Sequence, residues 1–312
     1  MPPNRTRHYK LSGAGVQKRV SPSATRAVDN QPKRFNNSTR NDTNRVHLLM
    51  SQIEIIDQHS TIWGSCVASG EGLPPDTLAE ILKDCRHRAR FSSADGRLEA
   101  GRIPVESAKA LAKVLAPHGG QITGWIAVNP HFLEPSLEAM ELGVRQLGMR
   151  AIGEMIQYME DWITDEYSVL PIVLLAGDLD VPINFHVGAA DHVEGFVHLA
   201  ESYPRTRFVM AHFGGRAWRF AWRIVKQAKL ANLYAEVTGS PSPALAAQRI
   251  AAAIDAAGIE RIVFGSDFCL QPGSRYTAGN ALLDSLEYMK LKDKDIERIC
   301  SLNAREMMRL DA

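Results

Sequence analysis

From residue 53 onward, short apolar runs rich in β-branched residues alternate with stretches whose apolar positions recur every three or four residues. The runs at 53–57, 122–128, 149–153, 182–185, 207–211, 233–237 and 261–264 predict strands. The stretches at 77–88, 105–115, 136–147, 167–177, 193–202, 217–228, 243–257 and 278–289 predict amphipathic helices. Pro135 and Gly148 bracket one helix as start and stop signals, and Asp76 and Asp191 stand at N-cap positions of two others. Strand–helix repetition with right-handed crossovers builds either a closed barrel or an open doubly wound sheet. No Gly-rich phosphate loop follows the first strand, which weighs against a nucleotide-binding sheet. The expectation is an α/β fold, a (β/α)8 TIM barrel allowing for distortion. Seven strands are legible; an eighth is expected inside FSSADGRLEAGRIP, where no apolar run marks it.

Five residues with ligand chemistry close these runs: His59 after IIDQ, Glu154 after RAIG, His186 after VPINF, His212 after RFVMA and Asp267 after VFGS. In a parallel barrel the C-terminal strand ends share one face, where such enzymes carry their chemistry. Candidate ligands spread from the first strand to the last converge only if the sheet closes. Imidazoles and carboxylates gathered there suit a divalent metal. Taken singly, each has a plainer reading: a hydrogen-bonded histidine at a strand end, a helix-capping aspartate, a salt-bridged glutamate. Asp57 is placed to orient His59 from two residues upstream, or simply pairs structurally. Trp63 is a candidate pocket wall, with core packing the plainer reading. Arg216, after HFGG, is a candidate clamp for a substrate carboxylate or a structural ion-pair partner. His87, His118 and His131 are expected to be solvated, and Asn303 to cap or close the last helix.

Composition changes this picture only at the N-terminus. The 312 residues are 45% hydrophobic and 23% charged, with a formal charge of +1, which gives no pull toward nucleic acid or membrane. Residues 1–46, however, hold ten Lys and Arg against Asp29 and Asp42. Poor in bulky apolar residues, residues 1–50 are expected to be disordered. They read as an incidental tail or an early start before Met50, as an organellar transit peptide, or as a basic arm for a polyanion. The domain proper is expected over 51–312. Cys66, Cys85, Cys269 and Cys300 form no CxxC pair, and reduced thiols in a cytoplasmic protein are the simplest account.

The segments IIDQHSTIWG, GWIAVNPH, LGMRAIGE, VPINFHVG, YPRTRFVMAHFGG, NLYAEVTG, RIVFGSDF and SLNAREMMRL, in that order, resemble the amidohydrolase superfamily, in its amidohydrolase-related branch of metal-dependent TIM-barrel hydrolases. The resemblance runs from about Ile53 to Leu310. It implies a divalent cation, often Zn²⁺, with Mn²⁺ as an alternative. Its ligands would be an H-x-H pair after the first strand, a histidine after the fifth and an aspartate after the eighth, which fall here on His59, Thr61, His186 and Asp267. His212 matches a histidine that binds a second metal or polarises the substrate, and Glu154 a carboxylate that binds or bridges metals. Thr61 departs from the pattern, since a hydroxyl is a poor zinc ligand; Glu154 then fills the vacant place.

The function expected is a metal-dependent hydrolase of an ester, lactone or amide-type bond in a small-molecule substrate. In it Asp267 takes a proton from the attacking water and His212 polarises the carbonyl. A metal-dependent decarboxylase of an aromatic or unsaturated acid is the alternative, and a non-catalytic barrel that lost its Thr61 ligand the third reading. Arginine-rich pocket walls would favour the decarboxylase. A homodimer is the default assembly.

Overall fold

The computed structural model of the chain describes residues 53–164, 167–239 and 242–311; the tail expected over 1–50 lies outside them. Nine parallel strands run β1 Glu54–Trp63, β2 Arg88–Gly96, β3 Ile122–Ile126, β4 Ala151–Met155, β5 Ile183–His186, β6 Phe208–Ala211, β7 Leu233–Val237, β8 Ile262–Phe264 and β9 Phe268–Leu270. Each pairs with its sequence neighbour from β1 to β8, and β9 pairs with β1. Only Gly265, Ser266 and Asp267 separate β8 from β9, so the two are halves of one interrupted stave. Its first half hydrogen-bonds β7 and its second half β1, and the sheet thereby closes on itself as a TIM barrel. Among the described residues no helix is long and apolar enough to cross a membrane.

The strand hidden from the sequence is β2, whose residues read RARFSSADG. Its polar side chains can be buried because neighbouring residues satisfy them. Ser60 donates to the Ser92 carbonyl at 3.2 Å and meets the Ser93 hydroxyl, and the Trp125 indole donates to Ser92 Oγ. Asp95, at the C-terminal end, accepts from Ser107 and from the Arg97 guanidinium, both at 2.8 Å. Buried polar groups paired in this way incur little desolvation cost, and strand pairing then needs no apolar run.

Two local expectations are corrected. The helix foreseen over 77–88 is Pro75–Ile81, and the chain enters β2 at Arg88. Asp76 and Asp191 lie within the first helical turn rather than at the cap, where their carboxylates meet the positive end of the helix dipole. Asn303 does close the C-terminal helix against the barrel: its amide donates to the Ile259 and Ile262 carbonyls, both at 2.7 Å.

His87 and His118, expected in solvent, are buried, whereas His131 is exposed. His87 stacks on Tyr276, with centroids 6.2 Å apart, and its ring is packed against Gly279. Among the described residues neither ring nitrogen has a hydrogen-bond partner, and burial lowers its pKa to about 4. Because this folded-state value lies below the unfolded 6.5, the unfolded chain takes up the proton first. Stability is therefore lost as pH falls from 6.5 through about 4, by about 3 kcal/mol at the limit. Urea unfolding at pH 7 and pH 4.5 should show a smaller acid loss in His87→Gln than in the wild type; equal losses would refute this account.

Candidate metal centre

The centre is assembled by four strands and two turns. His59 sits in the middle of β1, not at its end, because the strand continues four residues to Trp63 along Ser93–Gly96 of β2, past a register shift between Asp57 and Ser60. Glu154 is the penultimate residue of β4, His186 ends β5, His212 follows β6 directly, and Asp267 occupies the break between β8 and β9. Gly153 permits the approach of β4 to β5: it has φ +122°, and a Cβ there would lie 2.5 Å from the Asn184 carbonyl. Gly265 passes so close under the site that a Cβ would fall 2.5 Å from the Glu236 carboxyl carbon and 2.6 Å from His59 Cβ.

Glu154 is the hub. Its Oε1 lies 3.0 Å from His186 Nδ1 and 3.2 Å from His212 Nε2, and its Oε2 lies 3.3 Å from His59 Nε2. Asp267 Oδ1 approaches the same His59 nitrogen at 3.7 Å with a side chain that is 57% exposed. The rings of His186 and His212 meet edge to face at 4.7 Å, and those of His59 and His212 lie 5.4 Å apart. His59, Glu154, His186, His212 and Asp267 are thus brought together as expected. Ligand atoms fall within 4.8 Å of one another in the groups Glu154–His186–His212, His59–Glu154–Asp267 and His59–His212–Glu236.

Glu236, the penultimate residue of β7, was not singled out from the sequence. Its signal was a carboxylate inside an otherwise apolar run, LYAEV. Fully buried, it accepts from His59 Nδ1 at 3.0 Å, the His212 backbone N–H at 3.1 Å, Asn184 Nδ2 at 3.3 Å, and Gln58 Nε2. With Nδ1–H held by Glu236, His59 Nε2 is turned toward the centre. Glu236 holds the ring of His59, and Asp57, the residue foreseen to orient it, accepts its backbone N–H at 3.3 Å. Asp57 also accepts from the Ser266 amide at 2.9 Å, the Ser266 hydroxyl, and Tyr276 at 2.9 Å, and so ties the break in the last stave to β1.

The charges reinforce one another. Burial opposes a proton on His59, yet Glu236 and Glu154 outweigh it and push the imidazole well above its usual value. Burial would likewise raise Glu154, but the His59 charge and the hydrogen bonds from His186 and His212 hold it well below the carboxylate range. Asp267 is raised by burial despite His59, and burial raises Asp57 to about 6 against its hydrogen bonds. A set of imidazoles and carboxylates that attract positive charge this strongly fits a divalent cation.

His212 stands at φ +60°, and Phe213, Gly214 and Gly215 continue with φ of 43°, 77° and 52°. This left-handed turn is clamped by Arg249, which donates to the carbonyls of His212 at 2.9 Å and Gly215 at 3.3 Å. Arg216, the expected substrate clamp, instead lines a groove between outer helices, because the turn carries the chain from the barrel mouth onto the helix Trp218–Ala228. Trp63 projects 46% exposed from the end of β1 and makes no ring contact with the centre. Those contacts come from Trp125, stacked on His59 at 5.5 Å, and Tyr158, edge-on to His186 at 5.0 Å.

A family model described as Amidohydrolase matches residues 51–310. No curated protein matches the sequence. Solved structures share the fold at low identity. Against 2,6-dihydroxybenzoate decarboxylase from Rhizobium, identity is 18% and the TM-score 0.60, over 84% of this chain and 100% of that one. For 5-carboxyvanillate decarboxylase from Novosphingobium aromaticivorans, complexed with manganese, the values are 13% and 0.57, over 84% and 97%. For 4-oxalomesaconate hydratase from Rhodopseudomonas palustris they are 16% and 0.55, over 82% and 96%.

Proposed function

The chain belongs to the amidohydrolase family, and on that footing we propose that it is a metal-dependent hydrolase of an ester, lactone or amide-type bond in a small molecule. The observation that carries this reading is the convergence of three imidazoles on Glu154, with the exposed Asp267 beside them. His59, Glu154, His186 and Asp267 would hold the ion, with Glu154 taking the place that Thr61 leaves. The donor set is nitrogen and oxygen, which suits Zn²⁺ and Mn²⁺ alike. A divalent ion in such a set lowers the pKa of bound water and polarises an acyl oxygen.

The remaining chemistry falls to the chain. Asp267, solvent-facing and with a raised pKa, accepts the proton of the attacking water and returns it to the leaving group. His212 directs Nε2 inward and stabilises the acyl oxygen. Glu236 fixes the ring of His59 and the backbone of His212. The arginines flanking the centre in sequence do not serve it: Arg97 pairs with Asp95, Arg249 holds backbone carbonyls, and Arg216 lies at the outer groove. This supports an acyl substrate over one held by its carboxylate. Decarboxylation of an aromatic acid is the second reading, favoured by the decarboxylases that share the fold, one of them with manganese.

Metal analysis of the purified wild type beside Thr61→His tests the proposal. Near-stoichiometric zinc or manganese is expected in both, with Thr61→His binding up to about tenfold tighter through its added imidazole. A metal-free wild type that gains metal only as Thr61→His would overturn it. Turnover of aryl esters and lactones against CO₂ release from hydroxybenzoates separates the two reactions.

A further inference from the structure

The turn that presents His212 runs directly into a second concavity, on the outside of the barrel. Between the helices Trp218–Ala228 and Pro243–Ala257 lies a groove of about 950 Å³. Small side chains, Ala251 and Ala252, form one wall, and Trp218, Phe220 and Trp222 the other. Arg216, Arg219 and Arg223 stand around it. The Arg219 guanidinium lies 4.3 Å over the Trp218 ring and that of Arg223 5.6 Å over Phe220.

The charge of this groove is uncompensated. No carboxylate pairs with Arg216, Arg219 or Arg223 among the described residues, whereas Arg97, Arg207 and Arg305 are each ion-paired. The acid at the groove, Asp255, is already taken by Lys226 and by the Trp222 indole N–H, both at 2.7 Å. Arg219 and Arg223 are four residues apart on one helix, a like-charge spacing that weakens a helix unless an anion bridges it. A second copy of the same face would set these arginines against their counterparts, so self-association is disfavoured.

The geometry points to this groove as a binding site for a planar organic anion, an aryl carboxylate or aryl phosphate. The ring lies against the alanine and tryptophan walls, and the acid group is met by the forked guanidiniums, whose donors match carboxylate and phosphate oxygens. The groove is open on its outer side, and its volume is within the range that such ligands occupy. It is also an effector site, because both of its walls hold the His212 turn. Arg216 belongs to that turn, and Arg249, from the second helix, clamps the carbonyls of His212 and Gly215.

Calorimetry on the whole chain, with 1-naphthoate as the probe and 1-naphthylmethanol and inorganic phosphate as comparators, tests the site. Naphthoate should saturate one site and bind about tenfold or more tighter than either comparator, which lack the charge or the ring. The double variant Arg219→Gln/Arg223→Gln and the groove-filling Ala252→Leu should each weaken naphthoate by about tenfold or more, while His186→Ala at the barrel mouth leaves it unchanged. Amide exchange over residues 212–217 should slow when naphthoate binds. Unsaturable binding, or equal binding to wild type and both groove variants, overturns the site. Loss of binding in His186→Ala assigns the probe to the mouth and overturns it equally. Binding without any change in exchange over 212–217 overturns the effector role.

Discussion

Replacing His186 with alanine is expected to strip the protein of its metal and, with it, of turnover. His186 reaches Glu154 from the end of β5, and its ring packs edge to face on His212. The substitution removes one nitrogen donor and frees Glu154 from one of the three imidazoles that orient it. Losing even an outer partner of a metal ligand costs 10–100-fold in affinity, so loss of this donor should exceed about 100-fold. Dialysed His186→Ala should retain less than about a tenth of the wild-type metal. Turnover should fall in step and recover only partly in excess Mn²⁺ or Zn²⁺. If the variant kept full metal occupancy, His186 would not be a ligand. The backbone should tolerate the change, since the side chain is 20% exposed and caps no helix; an unaltered circular dichroism spectrum checks this.

Glu236→Ala is expected to have the largest effect on stability. The carboxylate is fully buried and gathers a histidine ring, two side-chain amides and a backbone N–H from two other strands and a turn. Its removal leaves four buried donors without an acceptor, and breaking such a charged network costs about 3–5 kcal/mol. Metal affinity should also fall, by about 10–100-fold, as His59 loses the bond that fixes its ring. Glu236→Gln keeps the shape but turns one oxygen into a donor facing donors, so it should rescue stability only in part. Urea unfolding of the metal-free protein isolates the first effect. A loss below about 1 kcal/mol would show that the network is dispensable.

The residues that were legible in the sequence are those standing at the junction of two patterns. His186 and His212 end apolar β-branched runs and precede glycines, so an imidazole there signals a strand end at the barrel mouth. Asp267 was visible for the same reason. Glu236 was not, because a carboxylate inside LYAEV interrupts a strand pattern without marking its end, and its four donors come from residues distant in sequence. Strand β2 stayed hidden because its serines and Asp95 are satisfied by Ser60, Trp125 and Arg97, pairings that local periodicity does not reveal. Arg216 misled because the sequence gives its distance from His212 but not the left-handed turn that redirects it. His87 misled in the opposite direction: a histidine between charged neighbours reads as solvated, yet Tyr276 and Gly279 cover it.

The interrupted last stave makes completion of folding and assembly of the centre a single event. Asp57 and Ser266, 209 positions apart in sequence, are joined only when β9 finds β1. That pairing closes a loop of more than two hundred residues, and contacts so distant in sequence are slow to form. Until it forms, Asp267 is absent from the side of His59, while His186, His212 and Glu154 can already be in place on adjoining strands. An unfinished molecule would thus present an incomplete ligand set and no proton acceptor. On the proposed reading of the site, a molecule whose seam had not closed would be inactive.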